Sequence, residues 1–270
     1  MTPPCILCYH KVDRRVELGV TRLSPRRFAR QMERLARTGY TTLTLAELRA
    51  CLTGVRRPAR NEIAITFDDG YRALRDHAFP VLAAHGFTAT CFVVTAYAGK
   101  LNRWDVAYGG RRFAHLSWRD MRRWQSRGIA FASHTATHPR LTWLPDAAVS
   151  RELAQSRADL LAALDVDCYA LSWPFGAHAQ RERVIAQREG YDLGLTIGLA
   201  QPWTGDLFAV PRHPVYMWSA PMPGVGHFRR VEAVAGTIAN RCAIGTSIIR
   251  RRRGSDSVRR HPREAAPAVE

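Results

Sequence analysis

The sequence predicts an α/β chain whose parallel sheet closes, or nearly closes, into a barrel. Two observations carry that prediction. Short apolar runs alternate with amphipathic stretches along most of the chain, which is the pattern of repeated strand–helix units. Runs such as EIAITF are predominantly apolar without alternation, as strands are when both sheet faces are covered. Six or more such units in one domain favour a barrel over the alternative, an open doubly wound sheet. In either architecture functional groups collect where strands end. With 270 residues, 46% of them hydrophobic, the chain can bury a sizeable core.

The elements follow in order. PCILCY is a candidate first strand. A helix begins after Ser24, a good N-cap, with Pro25 at its first position, and stops at Gly39. Phe28, Met32 and Leu35 share one face of it. Thr44 and Glu47 have capping-box spacing for a short second helix. EIAITF is the next strand, followed by one helix from Tyr71 to His85. TATCFVV, IAFASH, CYALSW and LGLTI are further strands. Helices from Ser117 to Gly128, over Asp146 to Leu164, and up to Gly190 separate them.

The formal net charge is +17, and only Lys11 and Lys100 are lysines. The arginines are scattered, as on a solvated surface, and no nucleic-acid-binding motif accompanies them, so a nucleic-acid partner is not expected. Cys5 and Cys8 form a lone CxxC inside a strand, on opposite faces, which argues against a zinc knuckle and for free thiols. The N-terminus has no charged n-region with a long apolar run, and no uncharged apolar stretch is long enough for a membrane span. A cytoplasmic protein, peripheral at the inner membrane, is the expectation. Residues 1–230 read as one catalytic domain, and 231–270 as a C-terminal helix with a basic, disordered tail. That basic end could contact an anionic membrane, although a packed helix with a solvated tail is the favoured reading.

Three polar clusters stand at strand ends. Asp68 and Asp69 close EIAITF side by side, and adjacent carboxylates repel unless a cation or a shared proton is near. His134 and His138 in SHTATHP are spaced so that one helical turn would aim both rings the same way, which suits zinc. Two imidazoles and one carboxylate make a three-ligand site with room for water, and the second aspartate could take that water's proton. In SWPFG, Pro174 fixes the backbone so that the Phe175 amide could face an oxyanion.

TFDDGY, SHTATHP and WPFG, in that order, resemble the polysaccharide deacetylase family (NodB homology, carbohydrate esterase family 4). CYHKVD and LARTGYTTLTLAEL are similar to its bacterial members acting on N-acetylglucosamine polymers, and the resemblance spans about residues 5 to 218. It implies a distorted, incomplete (β/α) barrel and a metal-dependent hydrolase that removes N-acetyl groups from N-acetylglucosamine-type glycan, oligosaccharide or lipid-linked sugar. Asp68 becomes the general base. Asp69, His134 and His138 hold a divalent ion, most often zinc, and the Phe175 amide helps hold the oxyanion. The family's arginine before the proline is absent, since Leu171 and Ser172 stand there. His213 in VPRHPV is the candidate general acid, with His10 as its rival. Trp118, Trp173 and Trp218 are candidate sugar platforms, against the commoner fate of burial. A catalytically silent glycan-binding relative is the alternative function.

Overall fold

Seven parallel strands form a ring. In it β1 (Cys5–Tyr9) pairs with β5 (Glu62–Phe67) on one side and with β10 (Val210–Pro214) on the other. Around the remaining arc β5 is followed by β6 (Ala89–Val93), β7 (Ile129–Ser133), β8 (Ala170–Ser172) and β9 (Leu193–Ile197), which returns to β10. The computed structural model describes residues 3–15, 21–102, 112–198, 203–217 and 219. Trp218 and the C-terminal segment 231–270 lie outside the described residues.

The ring is distorted at β5. The short β4 (Thr41–Thr42) takes the first residues of one β5 edge, at Glu62 and Ile63, and β6 takes the last, at Thr66 and Phe67. β2 (Lys11–Val12) and β3 (Arg22–Leu23) pair separately, just beyond the end of β1. Apart from β1, β5, β6, β7, β8 and β9, which match apolar runs, the strands are short or polar, and the sequence pattern did not reveal them.

Helices cover the ring's outside. α1 (Pro25–Arg37) starts where Ser24 Oγ accepts from the Arg27 amide, and it buries Phe28, Met32 and Leu35. α2 (Leu45–Leu52) and α5 (Trp118–Gln125) both open with complete capping boxes, Thr44 with Glu47 and Ser117 with Asp120. The single helix expected from Tyr71 to His85 is two, α3 (Ala73–His77) and α4 (Phe79–Ala84). Pro80 explains the break: it has no amide hydrogen for a carbonyl one turn back, and its ring collides with that turn. α6 (Asp146–Leu164) and α7 (Gln180–Arg188) complete the layer.

Strand alternation decides what each face holds. Phe67 turns outward, where Tyr9, Phe28 and Phe79 meet it with ring centroids 5.5 to 5.9 Å away. Complete burial of such a ring contributes about 1.5–3 kcal/mol. Thr66 and Asp68 turn the other way, into the ring. Among the described residues no helix is long and apolar enough to cross a membrane.

Candidate active site

Asp68 and Asp69 follow directly on β5, at its C-terminal end. Asp68 is fully buried and is gripped by Arg212 of β10. Arg212 Nη1 donates to one carboxylate oxygen at 2.8 Å and Nη2 to the other at 2.6 Å. The same guanidinium donates to Thr66 Oγ1, Ser172 Oγ and the Thr196 carbonyl, so every side of it is bonded. Ser172 Oγ also reaches Asp68 at 3.0 Å, and the Cys8 thiol lies 3.5 Å from the same oxygen. Burial by itself would raise the Asp68 pKa. The Arg212 charge, with His134 behind it, outweighs burial and holds the carboxyl well below the usual range. The support missing before the proline therefore comes from β10, far along the chain but adjacent in the ring.

Asp69, His134 and His138 form the second group, all three buried, with their ligand atoms within 4.8 Å of one another. Asp69 Oδ1 is 3.5 Å from Nε2 of both histidines. His134 Nδ1 lies 2.8 Å from the Ser172 carbonyl. A carbonyl can only accept, so Nδ1 carries the hydrogen and Nε2 presents its lone pair toward Asp69. That tautomer, a carboxylate and a second imidazole fit a divalent ion such as zinc. Without an ion, burial disfavours charge on His134, but Asp68 and Asp69 overcome it and raise its pKa. His138, depressed by burial and then by the His134 charge, falls to about 3. Burial works against the Asp69 carboxylate too, yet its His134 hydrogen bond and His138 keep its pKa low.

The two rings do not converge through a helical turn, as their spacing suggested. SHTATHP is a loop after β7, folded by local hydrogen bonds. Ser133 Oγ accepts from the Thr135 amide and Thr135 Oγ1 from the His138 amide. The ring centroids of His134 and His138 end 4.8 Å apart.

Backbone strain collects here. Among the described residues, the non-glycine residues with positive φ are Asp69, Thr135, His138 and Phe175, which all belong to these motifs, and Asp165, which does not. Gly70 continues the turn at φ 69°, and a Cβ there would stand 2.8 Å from Val93 Cγ1. His115 supports the turn from outside: its Nδ1 donates to the Asp69 carbonyl at 2.8 Å, and its ring stacks on Tyr71.

The other expected residues divide. Phe175 sits in a 3-10 turn after β8, its ring edge-on to His138 at 4.8 Å. His10, at the end of β1, places a ring nitrogen within 4.8 Å of Asp68 and Cys8, and its buried Nδ1 has no hydrogen-bond partner. His213 is not brought to the site. It follows Arg212 on β10 and pairs in register with Leu7, so alternation turns it to the outer face when Arg212 turns in. Trp173 is fully buried, with its indole N–H donating to the Phe208 carbonyl, so it is no open platform, whereas Trp118 packs half-buried against the core at the edge of an open cavity that Lys100 also lines. Sequence reasoning passed over Arg212, Ser172, Cys8 and His115. Arg212 carried a signal, since it shares strand parity with the buried Val210.

The (β/α) ring thus carries a buried aspartate–arginine pair beside an Asp–His–His cluster at its strand ends. The sequence profile of the polysaccharide deacetylases matches residues 56–194, and the chain belongs to that family. The matched stretch excludes β1 and β10, and with them Cys8, His10 and Arg212. The YxkH protein of Bacillus subtilis (strain 168), which carries the polysaccharide deacetylase name, is 29% identical over 191 residues, covering 71% of this chain and 63% of its own. The chain thus spans less than two thirds of that relative's length. Among solved structures, the fold matches the Streptococcus pyogenes deacetylase PplD with a TM-score of 0.72 and 24% identity, over 82% of this chain and 96% of that one. IcaB from Ammonifex degensii matches with a TM-score of 0.69 and 24% identity, over 80% and 92%.

Proposed function

We propose that the protein removes N-acetyl groups from an N-acetylglucosamine-type glycan, oligosaccharide or lipid-linked sugar, releasing acetate, with a divalent ion held by Asp69, His134 and His138. The observation that carries this reading is the side-by-side placement of two differently committed carboxylates. Asp68 is fixed by Arg212, and Asp69 faces two histidines. Family membership supports it.

The ion, zinc by the chemistry of the donor set, would acidify water and polarise the acetamide carbonyl. A weak base is then sufficient, which suits a carboxylate that Arg212 keeps ionised. Asp68 takes the proton of the attacking water. Its orientation is set by both guanidinium hydrogen bonds and by Ser172. The amide of Phe175, in its left-handed turn beside His138, receives the developing oxyanion. His10 takes the role first given to His213: standing beside Asp68, it passes on to the departing nitrogen the proton that Asp68 takes from the water. A cytoplasmic location, peripheral at the inner membrane, would fit a lipid-linked or soluble sugar. A binder without turnover would have no use for a buried, arginine-held base.

The test is acetate release from N-acetylglucosamine oligomers by the purified protein, with and without a chelator, beside Asp68→Asn. Release abolished by both treatments is the expected result. Release that survives chelation would remove the metal from the reading, and no release from any oligomer would remove the substrate.

A further inference from the structure

Next to the catalytic centre lies an open cavity of about 510 Å³, lined among the described residues by Ala96, Tyr97, Lys100, Leu101, Arg112 and Thr137. Its size falls in the roughly 300–1,000 Å³ range of small-molecule sites. Two contacts tie it to the chemistry. Thr137 directly precedes His138, and the Tyr97 ring is 6.0 Å from His115, which hydrogen-bonds the Asp69 carbonyl.

The lining is cationic. Lys100 is one of only two lysines in the chain, and its Nζ is anchored to the Ala96 carbonyl at 2.9 Å, with two hydrogens left for other acceptors. Arg112 is exposed and forms no ion pair among the described residues. Among the described residues no acid lines the cavity. Glu152 and Asp159 of α6 come near, but they are committed: Glu152 accepts from the Thr137 amide and hydroxyl, and Asp159 from the Thr95 hydroxyl. Tyr97 and the half-exposed Leu101 add an aromatic and an aliphatic wall of the kind that packs on the apolar face of a sugar.

We propose that this cavity is a subsite for an anionic group, a carboxylate or a phosphate, carried by a sugar beside the one that loses its acetyl group. The proposal rests on the deacetylase reading above and narrows it: the preferred substrate is an acidic glycan rather than a neutral homopolymer. A neutral chain would offer no anion to the two cations, Lys100 and Arg112, that line the cavity.

The test compares kcat/KM on three trisaccharides: tri-N-acetylchitotriose, the same chain ending in a glucuronate, and the same chain bearing a 6-phosphate. Wild type is expected to favour at least one anionic form by about tenfold, the scale of two partly exposed charge-assisted contacts. Which form it favours identifies the anion. Lys100→Met combined with Arg112→Gln should erase that preference, mainly through KM, while Arg30→Gln on the exposed face of α1 should not change it. Equal use of all three by wild type, or a preference that survives the double substitution, overturns the subsite. Calorimetric binding of the same trisaccharides to Asp68→Asn, with and without the double substitution, separates the two readings. If wild type releases no acetate from any of the three, charge-selective binding that is lost on removing Lys100 and Arg112 would keep the subsite and sink the deacetylase. Unselective binding, or none, would sink the subsite whatever the activity.

Discussion

Replacing Arg212 by methionine isolates the contact on which the proposed base depends. The guanidinium and the Asp68 carboxylate are both fully buried and meet through two hydrogen bonds. Methionine fills much of the volume but leaves a buried carboxylate with no cation. Removing one partner of a buried pair costs about 3–5 kcal/mol, a large part of the ~5–15 kcal/mol that holds a domain together. Asp68→Asn is milder, because the amide oxygen can still accept from Arg212 and Ser172. The double variant should recover much of the loss, giving a coupling energy of about 2 kcal/mol or more in a double-mutant cycle. Urea unfolding with a chelator present keeps bound metal out of the comparison. Arg212→Lys restores charge without the fork and should fold better than the methionine variant, yet remain impaired in acetate release. A methionine variant within about 1 kcal/mol of wild type, or single effects that simply add, would refute the claim that Arg212 holds Asp68 ionised.

Other outcomes follow from the same geometry. Gly70→Ala should cost about 1–3 kcal/mol, since a Cβ would press on Val93 at a positive φ; an unchanged melting temperature would contradict this. His10→Gln should lower kcat by on the order of 100-fold or more, and His213→Gln should leave it within about threefold; the reverse pattern would return the acid role to His213. Zinc restored after chelation should raise the melting temperature of wild type but not of His134→Ala, as followed by calorimetry. Burial lowers the His115 pKa from 6.5 to about 4, so its neutral form belongs to the fold. Its contribution is whole above pH 6.5 and is lost as pH falls to about 4, a change of about 3 kcal/mol. Unfolding of wild type against His115→Gln across that window should show the change, and a constant difference would refute it.

The legible parts of the sequence were those in which local chemistry and fold agree. Ser24 and Thr44 cap the helices they were expected to cap, and the helix expected to start at Ser117 begins with Ser117 as its cap. EIAITF announces a strand buried on both faces, and the four motif residues Asp68, Asp69, His134 and His138 do gather at strand ends. What stayed hidden depends on long-range closure. Arg212 is remote from every motif, and its role exists only because β10 lies against β1. The choice between Arg212 and His213 is a parity question that a five-residue strand among prolines does not advertise. The histidine loop reads as a helical turn by spacing but is not one, because its Thr135 and His138 backbones are left-handed, which few threonines or histidines are. The split of α3 from α4 was written in Pro80 and needed only stricter reading.

The distance in sequence between Asp68 and Arg212 has a consequence for how the protein comes into being. The two are 144 residues apart. At about 5–20 residues per second, a ribosome needs roughly 7–30 s to add the second after the first. During that interval the aspartate has left the ribosome, and the histidine loop follows it, but no cation is yet available to hold it ionised in a buried position. The last strand of the ring ends the wait, because the residue that seals the barrel between β9 and β1 is also the one that holds Asp68, the proposed base. On the proposed reading a nascent or partly unfolded chain is thereby kept inactive, and competence arrives in one step, with closure.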